Sequence, residues 1–334
     1  MYSNNTAPEI AIIGSGFGFQ EILPAILSSG NFKVNLMKPR DYSESKYEAF
    51  NLPNVTFVSL DDITNKPEIK IVFLALPPFL QHDYIEQLSL FGKSIYLEKP
   101  GGLNSKDALS IQRVIQKNQN NLYLGFQLRF DPVIQKSAIN VHEFDITENK
   151  TAKIQWNIKK SKNPQEWKSD LKKGGGVYRD HLCHIIDLLR NVYGFSDECF
   201  GPELKLISER RNLIDHISLK SENLEIQIHR ASNLDSSLQI DIETSEDRLQ
   251  IKNSYPFKLR NYSLIQNMEH IKLSETLNPD EDARQFALRS YIGRVIIEEF
   301  SENSLLEKFK FPSIDDAIFT QKIADRINAI EKDY

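Results

Sequence analysis

The first part of the chain alternates short apolar runs with longer amphipathic segments. The apolar runs are continuous and rich in Ile, Val, Leu and Phe, which is typical of strands buried on both faces of a parallel sheet. The segments between them favour helices that cover those faces. Strands are predicted at residues 10–13, 32–37, 71–76, 94–97 and 122–126, with helices at residues 20–28, 78–92 and 105–118.

Beyond residue 127 the apolar and polar residues alternate within strand-like runs. This pattern predicts an antiparallel or mixed sheet that has helices on one face and a free second face. Because 334 residues exceed a usual single domain, we expect an α/β domain at residues 1–127 and an α+β domain at residues 128–334, the latter with a large open, mostly antiparallel sheet. Predicted strands are 153–158, 214–219, 224–229 and 238–242, and predicted helices are 132–139, 279–299 and 314–330.

Clustered glycines follow the first predicted strand, at Gly14, Gly16 and Gly18, with Ser15 and Phe17 between them. A glycine-rich turn from strand to helix offers main-chain amides that can hold a pyrophosphate. The third glycine departs from the G-x-G-x-x-G spacing. The βαβ context therefore supports dinucleotide binding better than the glycine pattern itself does. The N-terminal domain is therefore predicted to be a Rossmann dinucleotide-binding domain.

Basic residues follow the second predicted strand, where NAD-binding domains usually place an acid about 20 residues after the glycines. Lys38 and Arg40 would attract the 2′-phosphate of NADP, whereas Asp41 would suit the ribose hydroxyls of NAD. The pattern favours NADP, with NAD as the alternative. A solvated basic turn is the structural alternative.

The third predicted strand ends at Leu76-Pro77-Pro78 and the fourth at Glu98-Lys99, before another proline. Ligands of such sheets bind outside the carboxyl ends of the strands, so both ends are predicted to border the cofactor. A lysine there could donate a charged hydrogen bond to a substrate oxygen. The alternative for Lys99 is a salt bridge to Glu98 or exposure to solvent.

The run at residues 174–187 begins with three glycines and continues with helical periodicity. Taken as one helix, it places Asp180, His184 and Asp187 on one stripe, opposite an apolar stripe. The glycines would let a flat ring lie against the helix entry. A carboxylate and an imidazole one turn apart can transfer protons. The alternative is a surface helix in which Asp180 satisfies His184.

Composition narrows the possible partners. Lys plus Arg number 41 against 46 Asp plus Glu, a net charge of −5 without a basic block, so nucleic acid is not expected. Two cysteines suit a reducing, cytoplasmic compartment. No apolar run approaches the ~18 residues of a membrane span, so no membrane contact is expected. No metal is expected, because Asp180, His181 and His184 would not converge on one face.

In this order the motifs resemble the glucose-fructose oxidoreductase, inositol 2-dehydrogenase and rhizopine catabolism (Gfo/Idh/MocA) family over nearly the whole chain. The chain departs from the family pattern at Gln81, where a histidine is frequent, and at Leu182-Cys183, where a glycine is common. The matching motifs are the glycine turn, Pro77-Pro78, Glu98-Lys99-Pro100, Gly125-Phe126, Arg129-Phe130, Pro132, the triple-glycine run with Asp180 and His184, and residues 313–317.

The resemblance implies an NAD(P)-dependent dehydrogenase that moves a hydride between nicotinamide and a hydroxyl or carbonyl carbon of a sugar, sugar derivative or cyclitol. His184 would transfer the proton, Asp180 would orient the imidazole or raise its pKa, and Lys99 would stabilise the alkoxide. Four further side chains are candidates for substrate contact, with a structural role as the alternative for each: Arg129, Trp167, Tyr178 and Arg179.

The resemblance also implies a homodimer or homotetramer, packed through the free sheet face if that face is apolar enough to need covering. Two alternatives to the dehydrogenase stay open. One is reduction of a C=N bond with the same hydride geometry. The other is a non-catalytic, ligand-responsive regulator, which would be expected to lack Lys99 or His184.

Overall fold

The computed structural model describes residues 7–142, 150–161, 165–207, 213–274, 276–301 and 310–332. The chain divides into two compact units. Unit 1 consists of Met1–Phe126 and Leu288–Ile318, and unit 2 of Gln127–Ala287 and Phe319–Tyr334.

Unit 1 contains a parallel sheet, as the apolar runs predict. Its strands are β1 (Glu9–Ile13), β2 (Lys33–Met37), β3 (Val55–Val58), β4 (Ile69–Leu74), β5 (Ser94–Leu97) and β6 (Leu122–Leu124). In the described residues the order is β3-β2-β1-β4-β5-β6, and every neighbouring pair is parallel. The strand order reverses between β1 and β4, which is where doubly wound sheets bind dinucleotides. Only β3, a short and partly exposed edge strand, had no counterpart in the prediction.

Two helices of unit 1 begin at side-chain caps. A capping box between Ser59 and Asp62 starts α2 (Leu60–Asn65), and the Asn104 side chain accepts hydrogen bonds from the first free amides of α4 (Ser105–Asn118). The predicted range of α4, residues 105–118, is confirmed. The helices are α1 (Leu23–Ser29), preceded by a π-helical turn at Gly18–Ile22, α2 (Leu60–Asn65), α3 (Pro78–Ser89) and α4 (Ser105–Asn118).

A segment of the C-terminal part belongs to unit 1, so the prediction that residues 128–334 form one domain is wrong for Leu288–Ile318. The Tyr291 ring packs 5.6 Å from the Tyr96 ring, centroid to centroid, and its hydroxyl donates to the Leu124 carbonyl at 2.7 Å. The Leu124 amide in turn donates to the Pro312 carbonyl at 3.0 Å. These contacts add the returning chain to the β6 side of the sheet.

Unit 2 contains a mixed sheet, as predicted. Its strands are β7 (Thr151–Lys159), β8 (Lys205–Leu206), β9 (His216–Lys220), β10 (Leu224–Ala231), β11 (Ser237–Glu243), β12 (Arg248–Ser254), β13 (Ser263–Gln266) and β14 (Glu269–His270). Among the described residues the order is β14-β13-β12-β11-β7-β10-β9-β8, with β7 and β10 parallel and the other pairs antiparallel. The helices that follow β6 along the chain are α5 (Pro132–His142), α6 (Val177–Asp180), α7 (Leu182–Asn191), α8 (Ala283–Phe300) and α9 (Ile314–Lys332). Most of α8 belongs to unit 1.

One face of this sheet packs into the core of unit 2, where its apolar side chains meet those of α5 and α7. The opposite face is polar. Lys153 and Gln155 of β7 stand beside Gln239 and Asp241 of β11 in register, and the side-chain amide of Gln239 donates to Asp241 at 2.6 Å. Assembly into a dimer or tetramer was expected if the free sheet face is apolar, and this face is not apolar. Across the described residues, no helix is long and apolar enough to span a membrane.

Candidate active site

The predicted glycine turn lies at the carboxyl end of β1, beside the end of β4. The Ala75 amide donates to the Ile13 carbonyl at 2.8 Å. Gly14 has a φ of +124°, and a Cβ there would lie 2.3 Å from the Ala75 carbonyl oxygen. A Cβ on Gly18 would lie 2.9 Å from the Ile12 side chain. Both glycines are thus required for close packing of the turn against the two central strands, which leaves its main-chain amides at the switch point.

The acid that could serve NAD is engaged by the protein. Asp41 forms an ion pair with Lys46 and accepts a hydrogen bond from the Tyr47 hydroxyl at 3.2 Å. The Lys46 hydrogen bond holds the pKa of the Asp41 carboxyl below its usual value. All three groups lie in the segment after β2.

Unlike Asp41, the basic side chains of Lys38 and Arg40 are not held in an ion pair with any described residue. The Lys38 amine lies 5.4 Å from the centroid of the Tyr42 ring, a cation–π distance, and the Lys38 amide donates to the Val58 carbonyl at 2.9 Å. Arg40 is exposed. Within the described part of the chain, neither Lys38 nor Arg40 forms an ion pair, so both charges are available to an anionic ligand.

The ends of β4 and β5 are tied together by a side chain that departs from the family pattern. Gln81 is fully buried, and its amide nitrogen donates to the carbonyls of Leu76 at 3.1 Å and Glu98 at 2.8 Å. Its side-chain oxygen accepts from the Gly102 amide at 2.6 Å. Gln81 therefore fixes the backbone on both sides of Lys99, which lies at the carboxyl edge where the sequence predicts it.

The Glu98 side chain is held away from solvent. Its Oε1 accepts a hydrogen bond from the Tyr96 hydroxyl at 2.9 Å, and a Cβ at Gly125 would lie 2.8 Å from the same oxygen. The family motif Gly125-Phe126 thus leaves room for the buried carboxylate. The peptide between Lys99 and Pro100 is cis.

In unit 2, two members of the triple glycine admit the protein's own backbone where a side chain would stand, and the expected contact with a flat ligand ring stays a prediction. A Cβ on Gly175 would lie 2.3 Å from the Trp167 carbonyl oxygen. A Cβ on Gly176, whose φ is +96°, would lie 2.6 Å from the Leu213 carbonyl oxygen. Those spaces are filled by neighbouring chain.

The predicted single helix is broken. His181 has φ −121° and ψ −43° and separates α6 from α7, so Asp180 ends one helix and His184 lies in the first turn of the next. The Asp180 carboxylate lies 3.6 Å from Nδ1 of His181. His184 is buried, and its amide donates to the His181 carbonyl at 3.0 Å. His181 therefore lies between the Asp180 carboxylate, which it approaches with its ring, and the first turn of α7, which it contacts through its backbone.

Asp187, expected on the same open stripe, is buried in an ion pair with Arg129. Nε of Arg129 donates to Oδ2 of Asp187 at 2.8 Å, and a second guanidinium nitrogen donates to Oδ1. The Asn191 side chain also donates to Asp187, at 3.2 Å. This bidentate pair joins the turn before α5 to α7, which gives Arg129 a structural contact in place of the expected openness to substrate.

The other three predicted substrate residues also have contacts within unit 2. Arg179 forms an ion pair with Asp325 at 2.9 Å and donates to the Tyr178 hydroxyl at 2.8 Å, and both side chains are buried. Trp167 is partly exposed, and its indole nitrogen donates to Gln165 at 2.8 Å. Of the three, Trp167 retains surface that a ligand can reach.

A tryptophan that the sequence did not single out packs on both histidines. The Trp156 ring, on β7, lies 5.0 Å from the His181 ring in an edge arrangement and 6.4 Å from the His184 ring, centroid to centroid. Ile154 and Trp156 are two residues apart and face the core side of β7. This two-residue period is the sequence signal that could have identified Trp156.

Comparison with known proteins finds a family match for the parallel-sheet part of the chain. Residues 9–126, which form the parallel sheet with its glycine turn, match the profile of the oxidoreductase family with an NAD-binding Rossmann fold (Gfo/Idh/MocA). Residues 9–126 are therefore similar to the Gfo/Idh/MocA oxidoreductase family. Unit 1 has a Rossmann-type parallel sheet and unit 2 a mostly antiparallel sheet.

Similar family members are known by sequence. An uncharacterized oxidoreductase of Synechocystis is 26% identical over 220 residues, which cover 65% of this chain and 59% of that protein. Inositol 2-dehydrogenase of Rhizobium meliloti is 27% identical over 168 residues, covering 50% of this chain and 49% of that enzyme. The chain thus matches about half of the length of these curated relatives.

The fold extends further than the sequence match. The transcriptional regulator Gal80p of Kluyveromyces lactis superposes with a TM-score of 0.76 at 15% identity, covering 100% of this chain and 94% of that one. Both units are thus seen in a protein described as a regulator.

Proposed function

We propose that this chain is an NADP-dependent oxidoreductase that interconverts a secondary alcohol and the corresponding ketone on a sugar, sugar derivative or cyclitol. The proposal rests chiefly on the family match over residues 9–126, the sheet at whose carboxyl edge Lys99 is held. Similarity to inositol 2-dehydrogenase supports a cyclic polyol as substrate.

The residues at the switch point fit a dinucleotide phosphate. The main-chain amides of the turn from Gly14 to Gly18 would bind the pyrophosphate, and Lys38 and Arg40 would bind the 2′-phosphate. Asp41 is paired with Lys46, which supports the two cations as the determinants of cofactor choice. Leu76, Pro77, Pro78 and Glu98 would border the bound cofactor from the ends of β4 and β5. When bound, the nicotinamide accepts or returns the hydride.

The protein's own part in the reaction is to move a proton and to stabilise charge. As the carbon gives up its hydride, the hydroxyl oxygen must release a proton, which His184 would take as general base. Asp180 would favour the protonated imidazole, directly or through His181. Lys99 would donate a charged hydrogen bond to the oxygen while it is an alkoxide. Ketone reduction runs through the same residues in reverse.

The test is an absorbance assay for NADPH with the full-length chain. myo-Inositol and a panel of aldoses would be supplied with NADP, and the corresponding ketones with NADPH. Substrate-dependent formation or consumption of NADPH supports the proposal. Turnover only with imines would assign the chain to C=N reduction instead.

A regulator is the second candidate, favoured by the likeness in fold to Gal80p. A regulator would give a different result in the same assay from that of an enzyme. It would bind NADPH, sugar ligands would change its affinity for NADPH, and no added alcohol or ketone would lead to formation or consumption of NADPH. Lys99 and His184 weigh against this candidate, because a protein without hydride chemistry does not need them.

A further inference from the structure

Unit 2 contains a cavity that no motif predicted. Its volume is about 110 Å³. An engineered apolar cavity of ~150 Å³ binds benzene, so this one suits a group no larger than one six-membered ring. Its walls are mainly aliphatic and aromatic and include Leu128, Ile134, Trp156, Ile158, Leu238 and Phe257.

The cavity adjoins the histidines of the candidate site within the same unit. His181 lies in its wall, and Trp156, another wall residue, packs on the rings of both His181 and His184. A group seated against Trp156 is therefore one side chain away from the proposed general base.

The acidic group of the cavity wall is already hydrogen-bonded to the protein. Asp131 accepts from the amides of Val133 and Ile134, at 2.8 and 3.2 Å, and from the Tyr262 hydroxyl at 2.9 Å. Burial raises the pKa of the Asp131 carboxyl to about 6. Its surroundings thus behave as an apolar medium.

Two further polar residues of the cavity wall, Arg284 and Ser236, also have partners within the protein. Arg284 pairs with Asp282 at 3.2 Å and lies over the Phe257 ring, 4.5 Å from its centroid. The Ser236 hydroxyl accepts from the Lys159 amide at 2.9 Å. A polyhydroxylated ligand would bury hydroxyls here with few partners, which costs free energy, whereas a hydrocarbon group would not.

We propose that this cavity binds a compact apolar portion of the substrate, so the alcohol or ketone that reacts also has a deoxygenated ring segment or a short branched alkyl group. The inference rests on the proposed function, because the bound molecule is a substrate only if the proposed reaction takes place. The cavity itself is tested separately, by binding.

The binding test uses tryptophan fluorescence. The chain has two tryptophans, so Trp167→Phe leaves Trp156 as the reporter. Titration with cyclohexanol should give a saturable change that myo-inositol at equal concentration does not give. Leu238→Phe, which fills the cavity, should weaken cyclohexanol binding roughly ten-fold or more. Gln239→Phe, on the opposite sheet face, is the matched control and should leave binding unchanged.

A change in Trp156 fluorescence that does not saturate, or that survives Leu238→Phe undiminished, overturns the proposal. So does tighter binding of myo-inositol than of cyclohexanol.

A turnover test separates the cavity from the reaction. With NADP, trans-cyclohexane-1,2-diol should be oxidised with a kcat/KM at least ten-fold above that of myo-inositol, because its methylene groups occupy the cavity. Oxidation of myo-inositol without cyclohexanol binding leaves the proposed function standing and rejects the cavity proposal. Saturable cyclohexanol binding without turnover of any alcohol supports the cavity as a binding site for apolar groups and rejects the proposed function.

Discussion

Lys99 and His184 have different tasks in the proposed reaction. Lys99 is positioned by backbone that Gln81 holds at the ends of β4 and β5. His184 is buried in the first turn of α7. Neither side chain belongs to the glycine turn at residues 14–18 that would bind the cofactor, so we expect each to be removable without loss of that turn.

His184→Ala and Lys99→Ala should each lower kcat by roughly 10²-fold or more, because one removes the general base and the other the stabilising charge. NADPH affinity, measured by nucleotide fluorescence, should change little. His82→Ala is the control, since the His82 ring contacts Ser110 on α4 and has no proposed role. Full turnover by His184→Ala would move the proton-transfer role to His181 or Tyr178.

Cofactor choice depends on Lys38 and Arg40. The intact protein should bind NADPH more tightly than NADH, and the double variant Lys38→Ala, Arg40→Ala should narrow the gap because the 2′-phosphate loses both cations. Lys106→Ala, an exposed residue of α4, controls for loss of positive charge. Equal affinities of the intact protein for NADPH and NADH would refute the assignment.

Asp131 makes stability depend on pH. Burial raises its pKa from 3.8 to about 6, so the folded state binds the proton more tightly than the unfolded chain. That contribution is complete below pH 3.8 and is lost as pH rises through about 6. The difference of roughly two units between the folded and unfolded pKa corresponds to about 3 kcal/mol of folding stability.

Asp131→Asn removes this titration while retaining a good helix cap. Relative to the intact protein, the variant should gain up to about 3 kcal/mol in free energy of unfolding between pH 4 and pH 7.5. Urea unfolding at both pH values measures the difference. A difference that is constant with pH would show that Asp131 does not titrate in this range.

At the scale of elements, α7 is fixed to the turn before α5 by the buried pair of Arg129 and Asp187. Both side chains of this pair are almost completely enclosed. The break at His181 then sets the directions of α6 and α7 independently, so the positions of Asp180 and His184 are not those of one regular helix.

Asp187→Asn should lower the free energy of unfolding by about 3 kcal/mol or more, because the Arg129 charge stays buried without its counter-charge. Asp197→Asn is the matched control: it breaks the exposed pair of Asp197 with Arg190 and should cost less than about 1 kcal/mol. Urea unfolding measures both. If Asp187→Asn left stability unchanged and raised KM, Arg129 would be a substrate residue after all.

At the scale of the whole molecule, the polar face of the unit 2 sheet limits how copies can associate. Lys153 pairs with Glu225 at 3.0 Å, and Arg248 with Glu243 at 2.9 Å, on this face. A dimer or tetramer through this face, which the family resemblance implies, would be stabilised by hydrogen bonds and ion pairs instead of apolar burial.

Assembly through this face should therefore weaken with salt, because ions screen exposed charges. Light scattering at micromolar concentration should report at least a dimer in 0.05 M NaCl and a shift towards monomer in 0.5 M NaCl. Gln239→Glu adds a charge to this face and should lower the dimer fraction further. A monomer at low salt, or an oligomer insensitive to both changes, would exclude this face as the interface.

Much of the fold could be predicted because its signals are local. Continuous apolar runs identified β1, β2, β4, β5 and β6, and alternation identified four strands of the unit 2 sheet. Residues 288–318 could not be assigned to unit 1, since Tyr291 finds Tyr96 and Leu124 only across a long sequence separation.

The candidate site divides in the same way. The glycine turn, Lys99, Asp180 and His184 were recognised from motif order, and their roles stay predictions. Trp156, Asp131 and Tyr262 were missed, because their proximity to one another or to the histidines depends on which strands and helices pack together.

The sequence by itself determined the periodicity of the elements, the glycine positions and the motif order, because each depends on residues close together in the chain. Only the tertiary structure decided which charges are open to a ligand. Asp187 and Arg129 neutralise each other in the core, Asp41 is taken by Lys46, and the cavity beside His181 is lined by residues from distant segments. Burial and ion pairing are properties of packed surfaces, and spacing along a chain does not encode which surfaces meet.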